Sequence, residues 1–218
     1  MNSYLCCWAL SSPILLSRVF NGSNLSCPLH IPKKLNGVYM RDNIWFTYKA
    51  RINAHLRLEW LEKHSQFILV WYAIFSAVLS VISIRFPKVL GDNTDIIASI
   101  LSVALLGISL VVSNLDFRGR AISMRRNYLA LQRLYSNTAD GVPLTPEQQD
   151  RYHELLDEVE NHLDIDDKAA RVAQTGLRSR IPTDDEKQSV KCWKGRRLIF
   201  TYSFYFLPIL IFWINYGS

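Results

Sequence analysis

Acidic and basic side chains are missing from three long stretches of this 218-residue chain: 67 to 84, 96 to 115 and 198 to 216. The charge that is present, 25 Lys and Arg against 19 Asp and Glu for a net of +6, falls mostly into three blocks between them. Charge this uneven excludes an ordinary soluble globule and a disordered tail. Cysteine is scarce as well. Cys6, Cys7, Cys27 and Cys192 show no CxxC spacing and no histidine spacing suited to zinc, which excludes a disulfide-stapled secreted domain. Glycine numbers only nine, and GxSxG, the P-loop and the Gly-rich dinucleotide turn are all absent, so nothing supports an enzyme or a cofactor.

What is there reads as an all-α integral membrane protein of one or at most two domains. A helix of about 20 residues rises about 30 Å, the thickness of the hydrocarbon core. The runs 67–84 and 96–115 meet that length and form a transmembrane hairpin across a short loop. The alternative, a pair of buried core helices, would need more surrounding protein than this chain supplies. The third run, 198–216, is dense in aromatics and carries Pro208. It is expected to span as a C-terminal helix, with a re-entrant or surface-embedded segment as the alternative. Proline inside a membrane helix requires that a neighbour satisfy the carbonyl it frees.

Lys and Arg set the orientation. Five lie in 41–66 and five in 117–133, against two in the loop 85–95. The positive-inside rule therefore places the N-terminal segment and residues 116–197 in the cytosol of a bacterial cell, with a multi-pass inner-membrane location. The sequons at Asn21 and Asn24 fall on that side and are read as accidental. Residues 1–39 have no acid and no signal-peptide pattern, and read as a poorly ordered or dispensable extension, an over-long start before Met40.

In the polar part, Ile44, Tyr48, Ile52, Leu56 and Trp60 recur four apart. They predict a helix that either skims the membrane surface or packs on the other cytosolic helices. Met124, Tyr128, Leu131 and Tyr135 extend the second span. Thr145, Pro146, Glu147 and Gln148, with Leu144 as staple, spell a helix start. A short helix is expected over 167–177 and a loop over 178–190. Residues 140–167 carry a net −9 between basic neighbours of +5 (117–133) and +4 (178–197). Complementarity within one chain or between subunits accounts for this, with the basic ends also meeting anionic lipid. No nucleic-acid-binding pattern accompanies the basic blocks.

Two sets of candidate site residues emerge. His153, Glu154, His162, Asp164, Asp166 and Asp167 suggest a metal, but on one helix the two histidines stand nine apart, about 180° around it at roughly 100° per residue, so no metal is expected. The aspartates read as caps for the next helix. In the spans, Ser76, Ser80 and Ser83 share one face of the first helix, and Ser99, Ser102, Ser109 and Ser113 one face of the second. Such faces serve either helix packing, where small residues let backbones approach, or the lining of a pore built from several copies. The absence of ionisable groups within the spans argues against a proton-coupled transporter.

The order of parts resembles the SLATT family, two-span effector domains found beside nucleotide-signalling and SLOG-type proteins in prokaryotes. The resemblance rests on the basic helix from Tyr48 to His55, the two spans with their eleven-residue loop, the helix beyond, and the stretch Leu155 to Asp166. That last stretch is similar to the subfamily encoded near reverse transcriptases. The resemblance covers roughly 41–177. It implies an oligomeric pore-forming effector of antiviral defence that damages the inner membrane, answers to a regulatory partner from a nucleotide-signalling or reverse-transcriptase system, and has no catalytic residues. A non-conducting membrane anchor that recruits a partner enzyme is the rival reading.

Overall fold

The structure, a computed structural model, describes residues 37–177 and 179–216. Those residues form six helices and no strand: α1 Gly37–Arg85, α2 Thr94–Asn114, α3 Phe117–Ser136, α4 Pro146–Asp157, α5 Asp164–Val172 and α6 Asp184–Tyr216. The extension expected over 1–39 lies outside the described residues as far as residue 36, and α1 is already helical at Gly37.

α1 is a single helix of 49 residues, about 73 Å long at 1.5 Å per residue, that joins the basic segment to the first apolar run without a break. Its apolar half pairs with α2 through a tight turn. There Gly91 takes a φ of +92°, open to glycine at no steric cost. The buried Thr94 hydroxyl donates to the Gly91 carbonyl at 2.7 Å and accepts the Leu90 N–H at 3.0 Å, so the turn closes on itself.

The seam of this hairpin is built from Phe75, Leu79 and Ile82 on α1 and Ala98, Leu101, Leu105 and Val112 on α2, which are buried or half-buried. Away from the seam the large side chains are bare: Val81 is 68% exposed, Ile84 83%, Ile100 64% and Val103 71%. Core helices of a soluble protein could not leave that surface in water, at about 25 cal/mol per Å². The bare faces belong in hydrocarbon.

Where the apolar run of α2 ends, the backbone turns at Asp116, whose φ is +40°. Its carboxylate then caps α3 by accepting the Gly119 N–H at 3.0 Å. α3 packs along the polar half of α1, and α4 and α5 close the bundle. Ile44, Tyr48, Leu131, Leu134, Leu144, Tyr152 and Leu155 form its core. Of the two placements open for 44–64, packing on the other polar helices is the one realised. Leu56, in the expected stripe, is 54% exposed, whereas Ala50, Ala54 and Leu58 are buried.

The start of α4 follows its sequence signal. Thr145 Oγ1 accepts the Gln148 N–H at 3.3 Å, Gln148 Oε1 accepts the Thr145 N–H at 3.1 Å, and Leu144 is buried. Two expectations are corrected. α5 begins at Asp164 rather than 167, and the stretch 178–190 is not all loop, because α6 begins at Asp184. A second capping box starts α6: Thr183 Oγ1 accepts the Glu186 N–H at 3.3 Å and Glu186 Oε2 accepts the Thr183 N–H at 3.1 Å. Glu186 also takes both terminal nitrogens of Arg171, at 2.7 and 2.8 Å, which ties α6 to α5.

Candidate functional site

The serines of the two apolar helices lie on the same flank of the hairpin. At roughly 100° per residue, Ser76, Ser80 and Ser83 stand about 100° around α1 from its seam. Ser99, Ser102, Ser109 and Ser113 stand about 80° around α2 from its own. The helices are antiparallel, so these offsets bring both faces to one side. Ser76 Oγ and Ser102 Oγ meet there at 3.4 Å. Ser80, Ser99, Ser102 and Ser113 are exposed, while Ser76, Ser83 and Ser109 are half-buried toward the seam.

The hydroxyls are tied down locally. Ser80 donates to Ser76 O, Ser83 to Ser80 O, Ser99 to Asp95 O, Ser102 to Ala98 O and Ser109 to Leu106 O, at 2.8 to 2.9 Å. Each of these five protons is satisfied within its own helix. The flank is therefore small and weakly polar, and compatible with hydrocarbon or with a close neighbour helix.

α6 meets α1 near the polar end of the hairpin. Trp60, His64 and Phe67 stand about 60° from the α1 seam on the other side. Tyr205 meets Phe67 edge-on at 5.6 Å, and its hydroxyl lies 2.9 Å from His64 Nδ1. Arg197 stacks between Trp60, 4.4 Å from the ring, and Trp193, 4.7 Å from the ring. Burial and the nearby Arg57 lower its pKa, and burial likewise depresses the His64 pKa. α6 packs by a stripe of Val190, Trp193, Arg197, Thr201, Tyr205 and Pro208, which are buried or half-buried.

Pro208 removes the N–H that would bond Phe204 O, and the Tyr72 hydroxyl of α1 donates to that carbonyl at 3.0 Å. This is the neighbour that a proline in an apolar helix requires. Tyr72 precedes Ser76 by one turn, so α6 reaches from the far side of the seam to the edge of the serine arc, and Ser80, Ser99, Ser102 and Ser113 are left exposed by the described residues.

In the polar half, the fully buried Arg51 reaches across the bundle. It donates to Asn127 Oδ1, to Leu155 O at 2.8 Å and to Leu156 O at 3.2 Å. Asn127 in turn donates to Leu155 O at 2.8 Å and to Glu158 Oε2 at 3.0 Å. The end of α4 is thus held by one guanidinium and one carboxamide. Burial pulls the Arg51 pKa down to about 10. Arg57 clamps Asp166 at 3.0 and 3.1 Å, and Asp166 Oδ2 accepts the Leu163 N–H at 3.0 Å, so the same carboxylate starts α5.

Arg51 sits off the apolar stripe that periodicity picks out, and its role was not legible there; the sole hint is a basic residue flanked by Ala50 and Ile52. α4 ends at Asp157, so His162 lies in the turn before α5, and the one-helix geometry used for His153 and His162 does not apply. His153 and Glu154 are exposed on α4. No group of three or more metal-ligating side chains comes together among the described residues.

No curated protein and no solved structure matches the chain significantly. A family model does match, over residues 35–216, which include the aromatic C-terminal run that lay beyond the expected limits of the resemblance. The family is one of two-transmembrane effector domains and is not a known catalytic one. With two long apolar helices bare to their surroundings and the family model spanning more than four-fifths of its length, the chain belongs to the SMODS and SLOG-associating 2TM effector domain family 5, membrane effectors of defence systems.

Proposed function

We propose that several copies of this effector assemble in the bacterial inner membrane through their serine flanks and render the membrane leaky when triggered, arresting or killing the infected host. The observation that carries this reading is the meeting of Ser76 and Ser102 at 3.4 Å on a flank where Ser80, Ser99, Ser102 and Ser113 are exposed. One chain with two or three spans cannot enclose a channel, so a pore requires copies related by symmetry. α6 reads as a third span, since its buried stripe continues through Thr201 and Pro208 within the apolar run. The polar helices face the cytosol and hold the assembly closed. A partner from a nucleotide-signalling or reverse-transcriptase system supplies the trigger.

The test is inducible expression in a bacterial host, with membrane potential and dye entry followed by cytometry. Rapid depolarisation by the native chain is expected. Ser99→Leu with Ser102→Leu should abolish it at equal membrane abundance, because both residues are exposed and the bulk would fall between copies rather than in the seam. Unchanged leakage would remove the serine flank from the mechanism. An intact membrane at high native expression, with the cognate trigger supplied, would favour a non-conducting anchor that recruits a partner enzyme.

A further inference from the structure

α3 presents a cationic face that the described residues leave largely without ion pairs. Its buried residues, Ala121, Met124, Asn127, Leu131 and Leu134, all turn toward the bundle. Arg118, Arg125, Arg126 and Arg133 stand on the far side with Ile122, 43% exposed, and Leu129, 39% exposed. Of the five arginines on α3, only Arg120 forms an ion pair among the described residues, with Glu160 at 2.8 Å. α4 carries the opposite sign. Glu147, Asp150, Glu154 and Asp157 recur at spacings of three, four and three, which places them within about 80° of one another at roughly 100° per residue. They face away from the buried Tyr152 and Leu155. Glu154 pairs only with Arg151 of its own helix, and the other three form no ion pair among the described residues.

The two faces stand at the same height along the bundle. Gln148 Nε2 donates to Asn137 O at 3.4 Å, which fixes the start of α4 beside the end of α3. Asn127 Nδ2 donates to Glu158 at 3.0 Å, which fixes the end of α4 beside the middle of α3. The acidic face therefore lies between the levels of Asn127 and Asn137, where Arg126, Leu129 and Arg133 also lie. Copies held upright in one membrane can touch only through surfaces at equal height, and these two qualify.

We infer that the basic face of α3 docks on the acidic face of α4 of a second copy of this chain, so that copies join head to tail around the membrane normal. The inference rests on the self-assembly proposed above and names its contact in the polar half. A heterologous contact of this kind closes into a ring when its rotation permits, the symmetry a pore needs. Ile122 and Leu129 supply apolar area, and the charges supply register and exclude the wrong pairing of like faces. A lipid surface is the weaker fit. Arg133 lies 15 residues, about 22 Å, along α3 beyond Arg118, more than two Debye lengths at physiological salt.

The experiment reverses each face alone and then both. One variant carries Arg126→Glu with Arg133→Glu, the other Asp150→Arg with Asp157→Arg. Glu147 is left in place because it also favours the N-terminus of its helix. Two differently tagged copies are co-expressed, extracted in mild detergent and captured through one tag, with dye entry followed in the same cells. Copies of either variant paired with themselves should lose co-capture at least about tenfold. The two variants expressed together should recover it to within about twofold of the native pair, because opposite faces again meet, and this rescue needs no chain to carry all four changes. Undiminished co-capture of both self-pairs would overturn the interface while leaving leakage, and the serine flank, standing. Loss without recovery in the mixed pair would overturn it and assign the arginines to anionic lipid. Native copies that fail to capture one another while the cells still leak would overturn the contact and self-assembly together.

Discussion

The bond from Tyr72 to Phe204 makes a sharp prediction about α6. Tyr72→Phe keeps the ring and removes the one donor that reaches the carbonyl freed by Pro208. An orphaned carbonyl costs about 1–3 kcal/mol, and more in hydrocarbon, where water cannot replace the lost partner. Taking about 2 kcal/mol, the docking of α6 on α1 should weaken by about 30-fold. Hydrogen exchange of the full chain in lipid nanodiscs reads this directly. Amides from about 198 to 210 should exchange about 30-fold faster in Tyr72→Phe, while those of α3 and α4 stay unchanged. The decisive comparison repeats the substitution in a Pro208→Ala background. Alanine restores the N–H that bonds Phe204 O within the helix, so Tyr72→Phe should then change exchange by less than about threefold. Equal losses in both backgrounds would show that the hydroxyl holds α6 by something other than the carbonyl that Pro208 frees. No loss in either would mean that α6 does not depend on this bond.

Arg51 and Asn127 should behave as one unit. Arg51→Met or Asn127→Leu alone strands buried groups and should each cost about 2–3 kcal/mol in thermal unfolding of the detergent-solubilised chain. The double variant should cost less than the sum by about 1.5–3 kcal/mol, and strictly additive losses would refute the coupling. His162 should make stability depend on pH. Burial outweighs the pull of Asp167, Asp166 and Asp164 and, with Arg51 adding to the lowering, holds its folded pKa below the ordinary value of 6.5. The folded chain then binds fewer protons than the unfolded one, so stability is full above about pH 6.5 and is lost as pH falls below it. Melting temperatures at pH 7.5 and 5.5 should converge in His162→Phe, apart from the smaller share due to His64, and an unchanged gap would exclude His162 as the cause.

The membrane hairpin and the start of α4 were legible because their signals are local. An uncharged run of hydrocarbon length and a Thr-Pro-Glu-Gln capping box depend on neighbours in sequence. The start of α6 carried the same signal in Thr183, Asp184, Asp185 and Glu186. It was masked by the arginines and proline around it, and only the bidentate pair with Arg171 shows why a helix begins there. Arg51 was not legible, since periodicity assigns a charged residue to solvent and cannot foresee that two carbonyls and an asparagine from other helices converge on it. The serine faces were visible as arcs on separate helices. That they share one flank follows from the antiparallel pairing and the position of each seam. The shared flank is a property of the pairing and not of the serines themselves.

The covalent layout suggests how the polar half could govern the flank. α1 runs unbroken from the core residues Ile44 and Tyr48 to Ser83, so a rotation or shift of its polar half is delivered to the serines as a rigid body. The other connection is different. α2 and α3 are separated by Asp116 in its left-handed conformation, so the two are not one continuous rod. Release of the Leu155 and Leu156 carbonyls from Arg51 would uncouple α4 from α1 some 25 residues, about 38 Å, below Ser76. On the proposed reading α4 is the two-state element. While it is docked, its buried face and Arg51 fix the azimuth of α1 against α3. When it is undocked, α1 is free to turn about its own axis, and a turn of one residue's angle, about 100°, carries Ser80 from the rim of the flank into the seam. Coupling over this distance then needs no chain of side-chain contacts, because the helix itself is the connection.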